Sequence, residues 1–139
     1  MTAWVVDASV TVKWLLPEVH SGAARKWLDA DATLLAPELL YTEAANVFWK
    51  RVVRKEMTGA EAQTCLAALA RLPLRAVPTQ SLLPAALEIA CYTRQTVYDA
   101  LYLALAQAHD AVLVTADRRL FDAVRKTPLA ERIAWVEEG

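Results

Sequence analysis

Apolar positions in this chain fall into short runs, separated by longer stretches in which they recur with helical spacing. The short runs, bounded by turn residues, occur at residues 3–7, 33–36, 74–77, 112–115 and 133–136, each of a length suited to a buried strand. The spacing between them predicts a helix from Ala8 to Leu16, stopped by Pro17, and another from Ser21 to Asp29 with Ser21 as its cap. Pro37 opens a long helix reaching about Lys55, since proline suits the first helical turn. Thr58 and Glu61 form a capping-box pair for a helix through about Leu72. Pro78-Thr79 begins a helix ending near Thr93, Thr96 one that reaches His109, and Arg118 one that ends near Arg125.

Strands alternating with helices predict an α/β/α sandwich around a central parallel sheet of four to five short strands, joined by right-handed crossovers. No linker or repeat divides residues 1–139, so a single domain is expected. A hydrophobic fraction of 56% against 22% charged residues excludes a disordered chain and leaves room for an oligomer interface, a homodimer being the expected state. The longest apolar segment, Val97 to Ala106, is too short to cross a bilayer. Met1-Thr2-Ala3 leads into a strand without a basic or long apolar leader, so a cytoplasmic protein is expected. Cys65 and Cys91 lie in helical patterns without metal-ligand spacing and read as reduced, structural thiols. The formal net charge of −1 argues against broad wrapping of nucleic acid and still permits a local basic patch.

Four acids interrupt this apolar pattern. Asp7 ends one strand run and Asp117 follows another after two residues, while Glu43 and Asp99 lie within helical patterns. Ligand sites of open α/β sheets gather at the carboxyl ends of the strands, where such acids can converge. Converged carboxylates repel one another and call for protons or a hard divalent cation. Local roles compete with this reading: Asp7 and Asp117 can cap the helices that follow them, and Asp99 can complete a capping box with Thr96. Glu43 has no such outlet. It lies one turn from Leu39, Leu40 and Val47 on the apolar stripe of its helix, where an unpaired carboxylate is costly.

The segments Val5-Val6-Asp7-Ala8-Ser9-Val10 and Val12-Lys13-Trp14-Leu15-Leu16-Pro17-Glu18 resemble the opening of PIN-domain ribonucleases, specifically the VapC toxins of toxin–antitoxin pairs. Glu43 in Tyr41-Thr42-Glu43-Ala44-Ala45-Asn46-Val47, Asp99 in Val97-Tyr98-Asp99-Ala100-Leu101 and Asp117 in Val114-Thr115-Ala116-Asp117-Arg118 match the family's remaining acidic motifs in order. The resemblance spans nearly the whole chain. It implies a single PIN domain over residues 1–139 and Mg²⁺- or Mn²⁺-dependent endonucleolytic cleavage of RNA, with a cognate antitoxin as inhibitory partner. Under it, Asp7, Asp99 and Asp117 are the expected metal ligands and Glu43 orients a water held by the metal. Ser9 and Thr115 are the expected hydroxyls that fix the carboxylates, although both can equally serve as helix-end caps.

Lys13, Arg118 and Arg119 are the expected RNA contacts, the two arginines because they directly follow Asp117. The run Lys50-Arg51-Val52-Val53-Arg54-Lys55 suits a helix carboxyl terminus as well as it suits RNA. His20 and His109 belong to no nucleophile motif. Trp4, Trp14 and Trp135 read as core, and Trp27 and Trp49 as core or interface. Alternatives stay open: a catalytically silent PIN-fold interaction protein, a housekeeping RNA-processing PIN nuclease, or a phosphate-handling α/β domain. The last lacks support, because no second acid stands two residues after Asp7 and no lysine follows the last strand.

Overall fold

The computed structural model describes residues 2–29 and 31–138. The expected chain limits, Met1 and Gly139, lie outside the described residues. Strands β1 (Thr2–Val6), β2 (Ala32–Pro37), β3 (Leu74–Val77), β4 (Val112–Thr115) and β5 (Ile133–Trp135) form an all-parallel sheet in the order β3-β2-β1-β4-β5. The helices are α1 (Ala8–Leu15), α2 (Ser21–Asp29), α3 (Leu39–Val53), α4 (Gly59–Ala70), α5 (Thr79–Thr93), α6 (Val97–Ala108) and α7 (Arg118–Arg125). The expected sandwich and strand number are both met.

Alternation along the strands sends side chains to two cores. Val5, Leu35, Leu113 and Ile133 pack with α5, α6 and α7, whereas Val6, Leu34 and Val114 pack with Val10, Trp14 and Trp27 of α1 and α2. A third cluster, Val12, Ala44, Phe48 and Leu69, ties α1 to α3 and α4. Helix α6 is buried along its length from Ala100 to Ala106, as its continuous apolar sequence requires. The strand order reverses about β1, so the ends of β1 and β4 flank the crevice where α/β sheets place their ligands.

Several local expectations change. Pro37 does not open α3; it closes β2, pairing with Val77 at the end of the ladder, where its missing N–H removes no interior bond. Ser21 lies inside α2 and uses its hydroxyl on the preceding turn, accepting from Glu18 N at 2.8 Å and donating to Leu16 O at 3.0 Å. Helix α3 stops at Val53, and Lys55 takes φ 60° in the turn beyond it. The Thr58–Glu61 capping box forms as expected. Cys91 is exposed and so is no packing element, whereas Cys65 is half-buried. Among the tryptophans, Trp27 is buried and Trp49 is 58% exposed.

Trp27 donates its indole N–H to the Val136 carbonyl at 2.7 Å and thereby anchors the segment that carries β5. Trp27→Phe keeps an aromatic side chain but removes the N–H donor to Val136 together with the pyrrole half of the indole. A loss of roughly 1–3 kcal/mol is expected in urea denaturation, and an unchanged midpoint would show that water replaces the bond.

Candidate active site

Asp7 follows β1 directly and caps α1, its Oδ1 accepting from Val10 N at 3.2 Å. Two hydroxyls complete its shell. Ser9 donates to Oδ1 at 2.5 Å and Thr115, at the end of β4, donates to Oδ2 at 2.6 Å. The hydroxyls are themselves held: Ala116 N donates to Ser9 Oγ at 2.9 Å, and Asp117 N donates to Thr115 Oγ1 at 3.0 Å. Both residues expected to orient carboxylates therefore touch Asp7 and the backbone leading to Asp117. Asp7 is 6% exposed. Burial pushes its carboxyl up to about 6, against the three hydrogen bonds that favour the charged form, and the nearby Asp117 charge adds to the rise.

Asp117 caps α7 through Leu120 N at 3.2 Å, so the capping expectation and the site expectation apply to one residue. Asp99 sits in the first turn of α6, where its N–H is taken by the Thr96 hydroxyl at 3.2 Å. Its carboxylate faces Arg119, whose Nη2 lies 3.2 Å from Asp99 Oδ2 and 3.8 Å from Asp117 Oδ2. Burial nevertheless raises the Asp99 carboxyl, the Arg119 hydrogen bond and charge opposing and the Asp117 charge assisting. Glu43, half-buried on α3, accepts a hydrogen bond from the Tyr102 hydroxyl at 2.5 Å. Desolvation raises Glu43 as well, with a further contribution from Asp99. Burial and the Glu43 charge push the Tyr102 hydroxyl far upward, so it remains a donor.

The four acids, from two strand ends and two helices, are thus coupled in a chain, Asp7 to Asp117, Asp117 to Asp99 and Asp99 to Glu43. Sequence reasoning missed Tyr102. Its signal was present, since Tyr102 stands three residues after Asp99 and so on the same helical face, within an otherwise apolar helix. Of the three expected RNA contacts, Lys13 and Arg118 line one cleft and Arg119 stands apart from them. Lys13 pairs with Glu18 at 3.2 Å, Arg118 lies over the Trp135 ring at 4.7 Å, and Arg119 rests on the acids themselves. Beside Asp7, a cleft of about 460 Å³ is lined by Ala8, Glu43, Asn46, Lys50 and Tyr98.

The donor set is all oxygen, which suits a hard divalent cation. Among the described residues, no three acids, histidines or cysteines stand close enough to form a ready metal cage. Arg119, reaching both Asp99 and Asp117, supplies a cation there instead. Mg²⁺ keeps several waters and takes only one or two carboxylates, so the residues fit it without a full cage.

An acidic crevice at the carboxyl ends of a parallel sheet defines a class of cation- and phosphate-handling α/β proteins. The PIN-domain profile matches residues 4–126 of this chain. Ribonuclease VapC9 of Mycobacterium tuberculosis is 35% identical to it over 118 residues, covering 85% of this chain and 88% of that protein. The crystal structure of PAE2754 from Pyrobaculum aerophilum superposes with a TM-score of 0.72 at 26% identity, over 99% of this chain and 85% of that one. A chain in a toxin–antitoxin complex from Klebsiella pneumoniae shares the fold at 14% identity, with a TM-score of 0.68 and 94% of each chain covered. The chain belongs to the PIN-domain family, among relatives named as VapC ribonucleases.

The raised Asp7 carboxyl has a thermodynamic consequence. A native pKa of about 6 against an ordinary 3.8 means that the folded state holds a proton the unfolded state has lost. Asp7 thus contributes stability below about pH 4, and loses it as pH rises through 6, a difference on the order of 3 kcal/mol. Asp7→Asn is expected to be more stable than the parent at pH 7.5 in chelator, by about 1–3 kcal/mol, and to show a shallower loss of stability between pH 4 and 7. A less stable variant with the parental pH slope in urea titrations would mean that the Asp7 charge is structural.

Proposed function

We propose that this chain is a metal-dependent endoribonuclease, the toxin of a toxin–antitoxin pair, organised as one PIN domain. The observation that carries the reading is the Asp7 carboxylate: buried, held by Ser9, Thr115 and Val10, and given no cation among those partners. Kinship with ribonucleases named VapC supports RNA as the substrate. Asp7, Asp99 and Asp117 are assigned to hold Mg²⁺ or Mn²⁺, directly or through the waters that the ion keeps. When bound, the ion supplies positive charge at the scissile phosphate and makes water a nucleophile at neutral pH.

The chain's own groups then have separate tasks. Ser9 and Thr115 fix the Asp7 carboxylate through hydrogen bonds that also bind the β4–α7 turn, so Asp7 and Asp117 keep their relative place. Glu43, with one oxygen occupied by Tyr102, offers the other to orient the attacking water. Arg119, which pairs with Asp99 and Asp117, would be displaced by a bound ion and could then meet RNA phosphate.

We also propose a cognate antitoxin and a homodimer. Trp49 at the α3–α4 surface, 58% exposed beside a cleft of about 270 Å³ lined by Phe48, Val52 and Leu66, supports an apolar anchor for the former. Leu83 and Leu87, one turn apart and exposed on α5, support the latter. No helix of the described residues is long and apolar enough to cross a membrane.

Purified protein is expected to cleave looped or single-stranded RNA with Mg²⁺ or Mn²⁺ and to stop in chelator. Asp99→Asn should lower the rate by roughly 10²-fold or more. Cleavage that persists after scrupulous metal removal would overturn the mechanism. Arg119→Ala, read by Mn²⁺ calorimetry, should tighten ion binding up to roughly fivefold, since an exposed ion pair is worth about 1 kcal/mol or less. Unchanged Mn²⁺ affinity would place Arg119 outside the competition for the acids.

A further inference from the structure

A second cleft opens at the same end of the sheet, on the side of the acids away from Glu43. It measures about 510 Å³ and is lined by Lys13, His20, Ala116, Arg118, Trp135 and Glu137 among others. Its position follows from the strand register. Trp135 pairs with Thr115 across the β4–β5 ladder, and Thr115 holds Asp7. Neighbouring strands lie about 4.8 Å apart, so the backbone bearing the indole is one strand from the residue that fixes Asp7. Ala116 belongs to both places: it lines this cleft, and its N–H donates to Ser9.

The Trp135 ring is fixed from several sides. Its N–H donates to Glu137 Oε1 at 2.9 Å, Phe121 packs at 5.8 Å between centroids, and His20 stands edge-on at 5.5 Å. The Arg118 guanidinium carbon lies over the ring, 4.7 Å from its centroid. Arg118 is 61% exposed and its ion pair with Asp122, at 3.7 Å, is between two exposed side chains. Little therefore holds the guanidinium apart from the aromatic surface beneath it. Lys13, 13% exposed and paired with Glu18 at 3.2 Å, closes another wall, and a phosphate there would share its ammonium with Glu18.

A rigid indole under a planar, weakly paired cation is a stacking platform. Unpaired bases stack on aromatic rings and on arginine planes, while lysine neutralises the adjoining phosphate.

We propose that this cleft is a nucleotide subsite, resting on the RNA-cleavage reading above: a base flanking the scissile phosphate stacks on the Arg118–Trp135 pair, and Lys13 meets its phosphate. The subsite accepts a base only when it is splayed out of a helix, so it selects single-stranded or looped RNA. It also divides the two adjacent arginines, Arg119 serving the acids and Arg118 the base.

The test uses single-stranded RNA oligonucleotides with 2′-O-methyl groups throughout, binding being followed by fluorescence anisotropy. One base at a time is replaced by an abasic position. In the parent protein one position is expected to weaken binding about tenfold when its base is removed, as stacking of one base allows. In Arg118→Gln and in Trp135→Leu, intact RNA should bind about as weakly as the abasic RNA, and removal of that base should cost nothing further. Arg118→Gln lies on an exposed side chain, so the result does not depend on tolerance of Trp135→Leu by the core. Equal losses on intact and abasic RNA in both variants would reduce the cleft to general electrostatics and overturn the proposal. Parental RNA binding in the variants, with weakened inhibition by a partner protein, would make the cleft a protein contact and overturn it equally. If the parent bound and cleaved no RNA, the ribonuclease reading itself would fall, a result distinct from cleavage without a base-dependent position.

Discussion

The hydrogen bond from Thr115 to Asp7 joins the carboxyl ends of two adjacent parallel strands that are 108 residues apart in sequence, and most of the site hangs from it. Parallel strands cannot be linked by a tight turn, so side chains must set the relation between the segments leaving their ends. Thr115 donates to Asp7 and accepts from the Asp117 N–H, while Ser9 donates to Asp7 and accepts from the Ala116 N–H. Two hydroxyls thereby lock the start of α1 to the turn before α7. The same bonds leave Asp7 charged at a desolvated position, which is costly unless a cation or a proton arrives.

That cost is distributed over the acid group. Asp7, Glu43 and Asp99 are all raised first by desolvation, with a neighbouring carboxylate adding to each. Tyr102 and Arg119 relieve parts of it in different ways. Tyr102 gives a fixed neutral donor from the buried face of α6, whereas Arg119 gives a mobile charge from an exposed helix surface. A fixed donor suits a permanent arrangement, and an exposed arginine can be displaced by a stronger cation at small cost. Among the described residues no ready cage is formed, and a guanidinium lies between Asp99 and Asp117.

The strand order places a cleft on either side of this centre. Glu43 and Lys50 of α3 line one, and Arg118 with Trp135 the other, with Ala8 and Ala116 as the small residues between them. Small side chains at those two positions leave the acids approachable from both sides. An extended polyanion crossing the carboxyl ends of β1 and β4 would meet a basic side chain on each side of the acids.

Much of this molecule follows from local patterns. Strand runs bounded by turn residues located β3 and β4 to the residue, because a short apolar run between polar turns has few other packings. The Thr58–Glu61 box and the Asp117 cap are likewise local, since each partner lies three residues away. The four acids were visible as breaks in apolar segments, and helical spacing put Glu43 near the inward face. Partners distant in sequence were not visible. That Glu43 meets Tyr102 across 59 residues, that Arg119 turns back to Asp99 while Arg118 lies on Trp135, and that Trp27 is core while Trp49 is surface all depend on how helices seat on the sheet. Pro37 shows the same limit at short range: its ring suits either a strand end or a first helical turn, and the ladder with β3 decided between them. Periodicity within a segment states which face is apolar, but only tertiary packing states what that face meets.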